Sequence, residues 1–417
     1  MGVEFESGYT LPGGDEPLTH ARILHKGNRI DMKSVVADQT ASSSVSADVL
    51  DNALTYERWK PFDNVLVDPS DFSTSEWFKT GVTVASDGMT IAETAGISFH
   101  SVKDFLVAVF TATEWVFSAR VKRQTVPEIQ LLVENDGTKS VYFDLRTGTI
   151  GTQVGATGDI VDLGDGEYLC RIYWAGAVDD GTVNIILSNG SETRNYDGDP
   201  NNTIKVLEAI AHPSVATVDF TPFTAGEADS FCLAAHNLGT SGGRITIEHG
   251  AGHADIMGAS ITPTDNAPIM AIFEPLTPTE WRMTVDRAVL PEIGIVRWGK
   301  ALQMTRPIFG GVVPLDLARK TTMRSNKSST GEWLGRTKLR TMLATTFDWT
   351  NIDDSWVYSN WPEFQQASED EPFFLAWRPI TYSSVGYCST QAHAEPANTG
   401  TRGLMSVSLN VTGFLNV

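Results

Sequence analysis

Two histidines, His249 and His253, stand four apart in the run His-Gly-Ala-Gly-His. On a helix that spacing puts two imidazoles on one face, within reach of one zinc ion. The two intervening glycines argue for a loop instead. Cys170, Cys232 and Cys388 are far apart and match neither a zinc motif nor a disulfide framework. Carboxylates sit side by side at Asp179 and Asp180, at Asp353 and Asp354, and at Glu369, Asp370 and Glu371. Glycosidases work with two carboxylates a few ångströms apart, but a chain with 51 acidic residues offers such pairs by composition alone. The run Tyr196-Asp-Gly-Asp-Pro-Asn-Asn202 is rich in oxygen and could hold calcium; it lacks the full twelve-residue calcium loop, and a plain turn is the simpler reading. Neither a Gly-x-Ser-x-Gly elbow nor a Gly-x-x-x-x-Gly-Lys-Ser/Thr phosphate loop occurs. No catalytic residue, metal ligand or cofactor is therefore assigned, and no ligand-binding residue is fixed. His20 and His25 read as polar side chains of the N-terminal segment. His236, in His-Asn-Leu-Gly, reads as bonding a turn backbone, because imidazole both donates and accepts.

Flat rings stack on the apolar face of a sugar, so Trp77, Trp115, Tyr142, Tyr173 and Trp174 are the residues to test for glycan contact. Strand alternation puts Trp115 and Trp174 inward. Tyr142 and Tyr173 then point outward and are the better candidates.

The elements that must carry these groups are strands. Thirty-six glycines and 19 prolines punctuate short runs rich in β-branched and aromatic residues, which predicts an all-β protein of sandwiches or barrels. Trp115, Phe117, Ala119 and Val121 alternate with polar or smaller neighbours; Tyr168, Cys170, Ile172 and Trp174 alternate around Arg171. At the C-terminal end, Met405, Val407, Leu409 and Val411 face a core while Ser406, Ser408, Asn410 and Thr412 face outward. One short helix is expected over about 359–368, with Pro362 in its first turn and Trp361, Phe364 and Ala367 inward.

The chain has 417 residues and a formal charge of −20, from 31 basic and 51 acidic side chains. That field opposes general binding to nucleic acid or to an anionic membrane. The longest apolar stretches, such as 105–110, are far shorter than the ~20 residues that span a bilayer. The first ten residues are acidic and polar, unlike a secretory signal. The cysteine usage fits a reducing cytoplasm.

Four segments are expected. Residues 1–40 read as an extended N-terminal arm. Residues 41–63 carry a serine-rich run followed by Thr55 to Pro61, and 214–305 form a second β-rich stretch. Residues 64–213 form a β-rich block with 21 acidic and ten basic side chains. Residues 306–417 form a last β domain with uneven charge: eight Arg/Lys and two acids over 306–340, then seven acids and no Arg or Lys over 341–371. Opposite patches of this kind either neutralise each other within one subunit or meet between identical neighbours head to tail.

Ser46-Ala-Asp-Val-Leu-Asp-Asn-Ala-Leu-Thr-Tyr-Glu-Arg-Trp59 and Phe231-Cys-Leu-Ala-Ala-His-Asn-Leu-Gly239 resemble a discoidin-type (galactose-binding-like) sandwich of the kind carried by tailed-bacteriophage tail proteins. Thr264 to Phe273, Trp281 to Val285 and Ile293 to Gly299 extend the likeness, which implies that 41–63 and 214–305 are two parts of one domain. The intervening block is similar to inserted carbohydrate-binding-module-like jelly rolls, through Asp71-Phe-Ser-Thr-Ser-Glu-Trp77, Asp87-Gly-Met-Thr-Ile-Ala-Glu93, Ser98-Phe-His-Ser-Val102, Tyr142-Phe-Asp-Leu-Arg-Thr-Gly148 and Asp162-Leu-Gly-Asp-Gly-Glu-Tyr168. Asp87-Gly88, Asp136-Gly137 and Asp165-Gly166 are hairpin-turn dipeptides. Arg324-Ser-Asn-Lys-Ser-Ser-Thr-Gly331, Pro372-Phe-Phe-Leu-Ala-Trp377 and the last strand resemble ring-forming β-domains of tail-tip and baseplate proteins.

The resemblance implies a virion structural protein of a tailed phage, assembled in the host cytoplasm and placed at the tail tip or baseplate. It implies a homo-oligomer, hexamer or trimer, contacting other tail proteins, with no nucleic acid and no membrane insertion. A host-surface glycan-binding adhesin is the alternative. A glycan-degrading enzyme is the least favoured reading.

Overall fold

The alternating runs do form strands, and the chain is a multidomain all-β protein built of packed sheets. The computed structural model describes residues 2–106, 114–135, 137–176, 181–308, 310–390, 395–400 and 402–413. Asp136, Asp179 and Asp180, and residues 107–110 of the apolar stretch, lie outside the described residues.

Residues 64–213 hold two six-stranded antiparallel sheets. One has Glu128–Asn135 and Thr182–Ser188 at its centre, and the other has Glu114–Arg123 between Glu167–Ala175 and Thr203–Pro213. The inward rows Trp115, Phe117, Ala119 and Val121, and Ile129, Leu131 and Val133, meet in one core that draws every buried member from 66–211. Entry and exit lie side by side: the Val65 amide donates to the Ala211 carbonyl (2.9 Å), and the Ala211 amide to Asn64 Oδ1 (3.0 Å). Asp165 and Gly166 both take positive φ (52° and 74°), the geometry that a tight hairpin demands.

A second core lies between a sheet containing Ala228–Ala234, Ile269–Leu276 and Ile295–Gly299 and one containing Val215–Pro222, Arg244–His249 and Trp281–Asp286. Trp298 anchors it, with the rings of Phe231 and Trp281 each 4.6 Å away. Residues 41–63 contribute Ala47, Leu50, Trp59 and Phe62 to this core.

The third core lies on a sheet that includes Phe373–Ala376, Val385–Ser389, Leu404–Gly413, Trp333–Asp353 and Arg319–Lys327. Val407, Leu409 and Val411 are buried, as alternation requires. One helix, Asp354–Asp370, covers the sheet with Val357, Trp361, Phe364 and Ala367 inward. It is longer than expected. Asp353 caps it, accepting from the Ser355 amide at 2.9 Å, so it starts five residues earlier and Pro362 falls inside it. Pro362 is exposed, where the carbonyl it leaves unbonded faces water.

The expected N-terminal arm is corrected. Val3–Phe5 pairs parallel to Ile269–Leu276, Arg22–Leu24 lies between Leu302–Gln303 and Phe373–Ala376, and Met32–Ala37 forms an edge beside Val215–Pro222. The first 40 residues therefore lace two domains together. Val3–Phe5 and Arg22–Leu24, of three residues each, are too short to show a period, and Met32–Ala37 is an edge strand with only Met32 buried, which is why the segment reads as irregular.

Candidate functional site

The aromatic residues expected to meet a sugar are engaged elsewhere. Trp77 is buried, its Nε1 donating to the carbonyls of Val67 (3.2 Å) and Asp68 (3.1 Å). Trp115 and Trp174 are buried and stack on each other at 6.3 Å. Tyr142 was expected to face outward but is only 6% exposed. The 189–194 segment closes over its face of the sheet: Arg194 Nε donates to Tyr142 Oη (3.3 Å), and Glu192 bonds Thr152 and Glu128. Tyr173 is half-buried against the neighbouring domain. Its hydroxyl donates to the Arg287 carbonyl (3.1 Å), and the Arg287 guanidinium lies 5.6 Å from its ring centre.

Tyr173 belongs to a seam. Val116, Ser118, Arg171, Ile210 and His212 share its outward face and are buried with it. Arg171 pairs with Asp159 and donates to the Ser241 carbonyl (2.9 Å). The His212 ring stacks on Phe62 at 4.9 Å, and its Nε2 accepts from the Leu290 amide (3.2 Å). Burial lowers the His212 pKa to about 4, so the ring is neutral at pH 7.

The remaining polar groups are structural. His236 Nε2 meets the Ala267 carbonyl at 2.9 Å, and its Nδ1 accepts from the Leu238 amide (3.3 Å), the turn-bonding role that its sequence suggests. His20 and His25 are buried, unlike polar residues of a loose arm. His20 Nδ1 lies 2.9 Å from the Met304 carbonyl, and the His25 ring packs edge-on to Phe364. His249 closes a strand and His253 sits in the turn beyond it, at φ 48°. The 196–202 run bonds Glu93, whose carboxylate accepts from the Tyr196 hydroxyl, the Asp199 amide (2.9 Å) and Asn202 Nδ2 (3.1 Å). Asp353 caps the helix, Asp370 pairs with Lys26 (3.2 Å), and Glu371 with Arg29 (2.7 Å). The three thiols are buried, which pushes their pKa values up, that of Cys388 to about 12. Among the described residues no three His, Cys, Asp or Glu cluster as a metal site, and no helix is long and apolar enough to cross a membrane.

Two exposed features remain. The first is a ridge at 53–56. Buried Arg297 sets it by donating to the carbonyls of Leu50 (3.0 Å) and Asn52 (2.5 Å). Tyr56 stands on the ridge, 76% exposed, between two shallow hollows of about 320 and 380 Å³. Beside it Glu292 lies between Lys60 (2.6 Å) and Arg58 (3.4 Å). Tyr56 lies within the Ser46–Trp59 stretch and does not stand out by sequence. Its signal was an aromatic among charged residues just before the buried Trp59.

The second is the hairpin formed by Arg319–Lys327 and the first part of Trp333–Asp353. A strand packed on one face buries alternate residues. Arg319–Lys327 is exposed at eight of nine positions, with only Thr321 half-buried, so neither face packs on the chain. Trp333 (56%), Leu334 (65%), Leu339 and Met323 are all exposed. Arg319–Lys327 is also an edge of its sheet. The basic run is legible in the sequence, but that it stands clear of the chain is not.

The sequence matches no family model and no curated protein. Solved structures similar to this chain include allantoicase from Saccharomyces cerevisiae (6% identity, 58% of this chain and 93% of that one, TM-score 0.20). The paired CBM32 domains of ZmpB from Clostridium perfringens are also similar (7%, 67% and 94%, TM-score 0.17), as is the adhesin domain of Epf from Streptococcus pyogenes (7%, 66% and 97%, TM-score 0.16).

Proposed function

We propose that this chain is a structural subunit of a self-assembling particle and, on the strength of its sequence resemblance, a component of a phage tail tip or baseplate. The hairpin carries the reading. Large apolar side chains left in water on a hairpin that packs neither face on the chain mark a surface meant for a partner. Domains laced by the first 40 residues and seamed at Arg171 and Tyr173 suit a part that bears load. Light scattering and electron microscopy of the purified full chain test this reading. A defined oligomer of three or six copies is expected. A monomer at every attainable concentration overturns it.

A glycan-binding role is the second reading, and the Tyr56 ridge favours it over the inserted block. An exposed ring flanked by a carboxylate and two cations offers stacking and hydroxyl recognition together. The full chain on a glycan array, with Tyr56→Ala beside it, decides this. Binding that disappears with the ring supports it, and no binding by the parent chain removes it.

A further inference from the structure

The hairpin and the helix of the same domain carry opposite charge and are kept apart by the fold. Over 319–340 there are seven Arg/Lys and one acid; over 341–371 there are seven acids and no Arg or Lys. If the two runs neutralised each other within a subunit, ion pairs would join them. Arg319, Lys320, Arg324, Lys327, Arg336 and Lys338 make no ion pair among the described residues. The acids that are paired, Asp370 and Glu371, take Lys26 and Arg29 from the N-terminal segment.

Geometry explains the separation. One continuous strand, Trp333–Asp353, runs from the basic tip to the acidic helix. Arg336 and Asp348 are twelve residues apart on it, roughly 40 Å at the rise of an extended strand. That is several Debye lengths at physiological salt, so the tip of the hairpin and the helix hardly feel each other within one molecule.

The outer side of the helix Asp354–Asp370 is open as well as acidic. Tyr358, Pro362, Glu363, Gln366 and Glu369 are exposed at helical spacing on the side opposite buried Trp361 and Phe364. The hairpin offers the complement: exposed Trp333 and Leu334 with cations among them, the Arg336 guanidinium lying 5.1 Å from the Trp333 ring centre.

We propose that the basic hairpin of one copy docks on the acidic outer face of the helix in the next copy, a heterologous head-to-tail contact that closes into a ring when its rotation permits. Trp333 and Leu334 supply the apolar burial against Tyr358 and Pro362. The charges set register and partner. This rests on the assembly reading above and goes further by naming both surfaces.

Two charge-reversed full-length chains test it, Arg336→Glu with Lys338→Glu on the hairpin, and Glu363→Lys with Glu369→Lys on the helix. All four positions are exposed, so both chains should fold, which circular dichroism and melting temperature check directly. Each chain alone sets like charges against like at the substituted positions, lowering the hairpin from +6 to +2 or the 341–371 run from −7 to −3, and should assemble less than the parent at equal concentration. Mixed in equal amounts they should recover assembly in an even-numbered ring, where the two chains alternate and every contact joins opposite charges at the substituted positions, and should recover in part in a ring of three, where one contact is mismatched. The parent oligomer should also dissociate as salt is raised. If the parent assembles and either folded variant assembles alone to the same extent, or if the folded mixture does not recover, the docking inference fails and the assembly reading stands. A parent that never assembles fails both.

Discussion

The inserted block 64–213 and the hairpin at 319–340 are both antiparallel β-structure, yet they treat their outward side chains in opposite ways. In the block, one outer face is seamed to the neighbouring domain through Arg171, Tyr173 and His212, and the other is closed by its own 189–194 segment. In the hairpin both faces meet water, and among the described residues Arg319, Lys320, Arg324, Lys327, Arg336 and Lys338 find no anion. A region that satisfies its outward groups inside the chain is finished by folding. One that leaves apolar and charged groups open together is where the proposed contact between copies is placed. The contrast assigns stability to the first region and association to the second.

Truncating one large ring in each region is the most severe way to break that contrast. Trp115→Ala should cost about 3–5 kcal/mol of the block's stability, the usual range for removing a buried aromatic side chain. Trp333→Ala should change stability by no more than about 0.5 kcal/mol, the surface range. Chemical denaturation of both full-length variants measures this. Equal losses would mean that the hairpin is part of a core after all.

A smaller effect sharpens the seam. Arg171 is buried between Asp159 and the Ser241 carbonyl, and Arg171→Met leaves both acceptors short of a donor. A loss of about 1–3 kcal/mol is expected. It should appear as faster amide exchange at 241–242 and 287–290 while the core strands of the block stay protected. Unchanged exchange there would show that the seam is held by other contacts.

The contrast also separates what the sequence revealed from what it hid. Inward rows such as Phe117, Ala119 and Val121, or Val407, Leu409 and Val411, were legible because burial on one face imposes a two-residue period. The all-β class follows from them. The outward rows were not legible. Alternation says that Tyr142 and Arg171 leave their own core, but it cannot say that a second layer awaits them. The same gap hid the N-terminal lacing, since Ile23 and Leu24 are buried by strands hundreds of residues away. The turn role of His236 is readable because one partner of its ring, the Leu238 amide, lies two residues away, whereas the other, the Ala267 carbonyl, comes from a distant segment; Tyr56 is conspicuous only against the buried rings around it.

Acid supplies the mildest test, again at the seam. His212 keeps its ring neutral so that Nε2 can accept from the Leu290 amide, and burial lowers its pKa from 6.5 to about 4. The folded state therefore binds its proton less readily than the unfolded chain does. The resulting stability is fully present above pH 6.5, declines as pH falls through the interval down to about 4, and is gone below it. His25 and His236, also lowered to about 4, act in the same direction. Asp51, Asp104 and Asp229 are pushed up by burial and act oppositely, since a fold that raises a carboxylate pKa loses stability as pH rises. The net slope is thus shallower than three histidines alone would give. Melting temperatures between pH 7 and pH 4.5 should fall for the parent chain, and less for His212→Gln, whose side-chain oxygen can still accept from Leu290 but takes no proton. Identical slopes for the two chains would remove His212 from the seam's acid response and leave the loss to His25 and His236, away from the contact between the two domains.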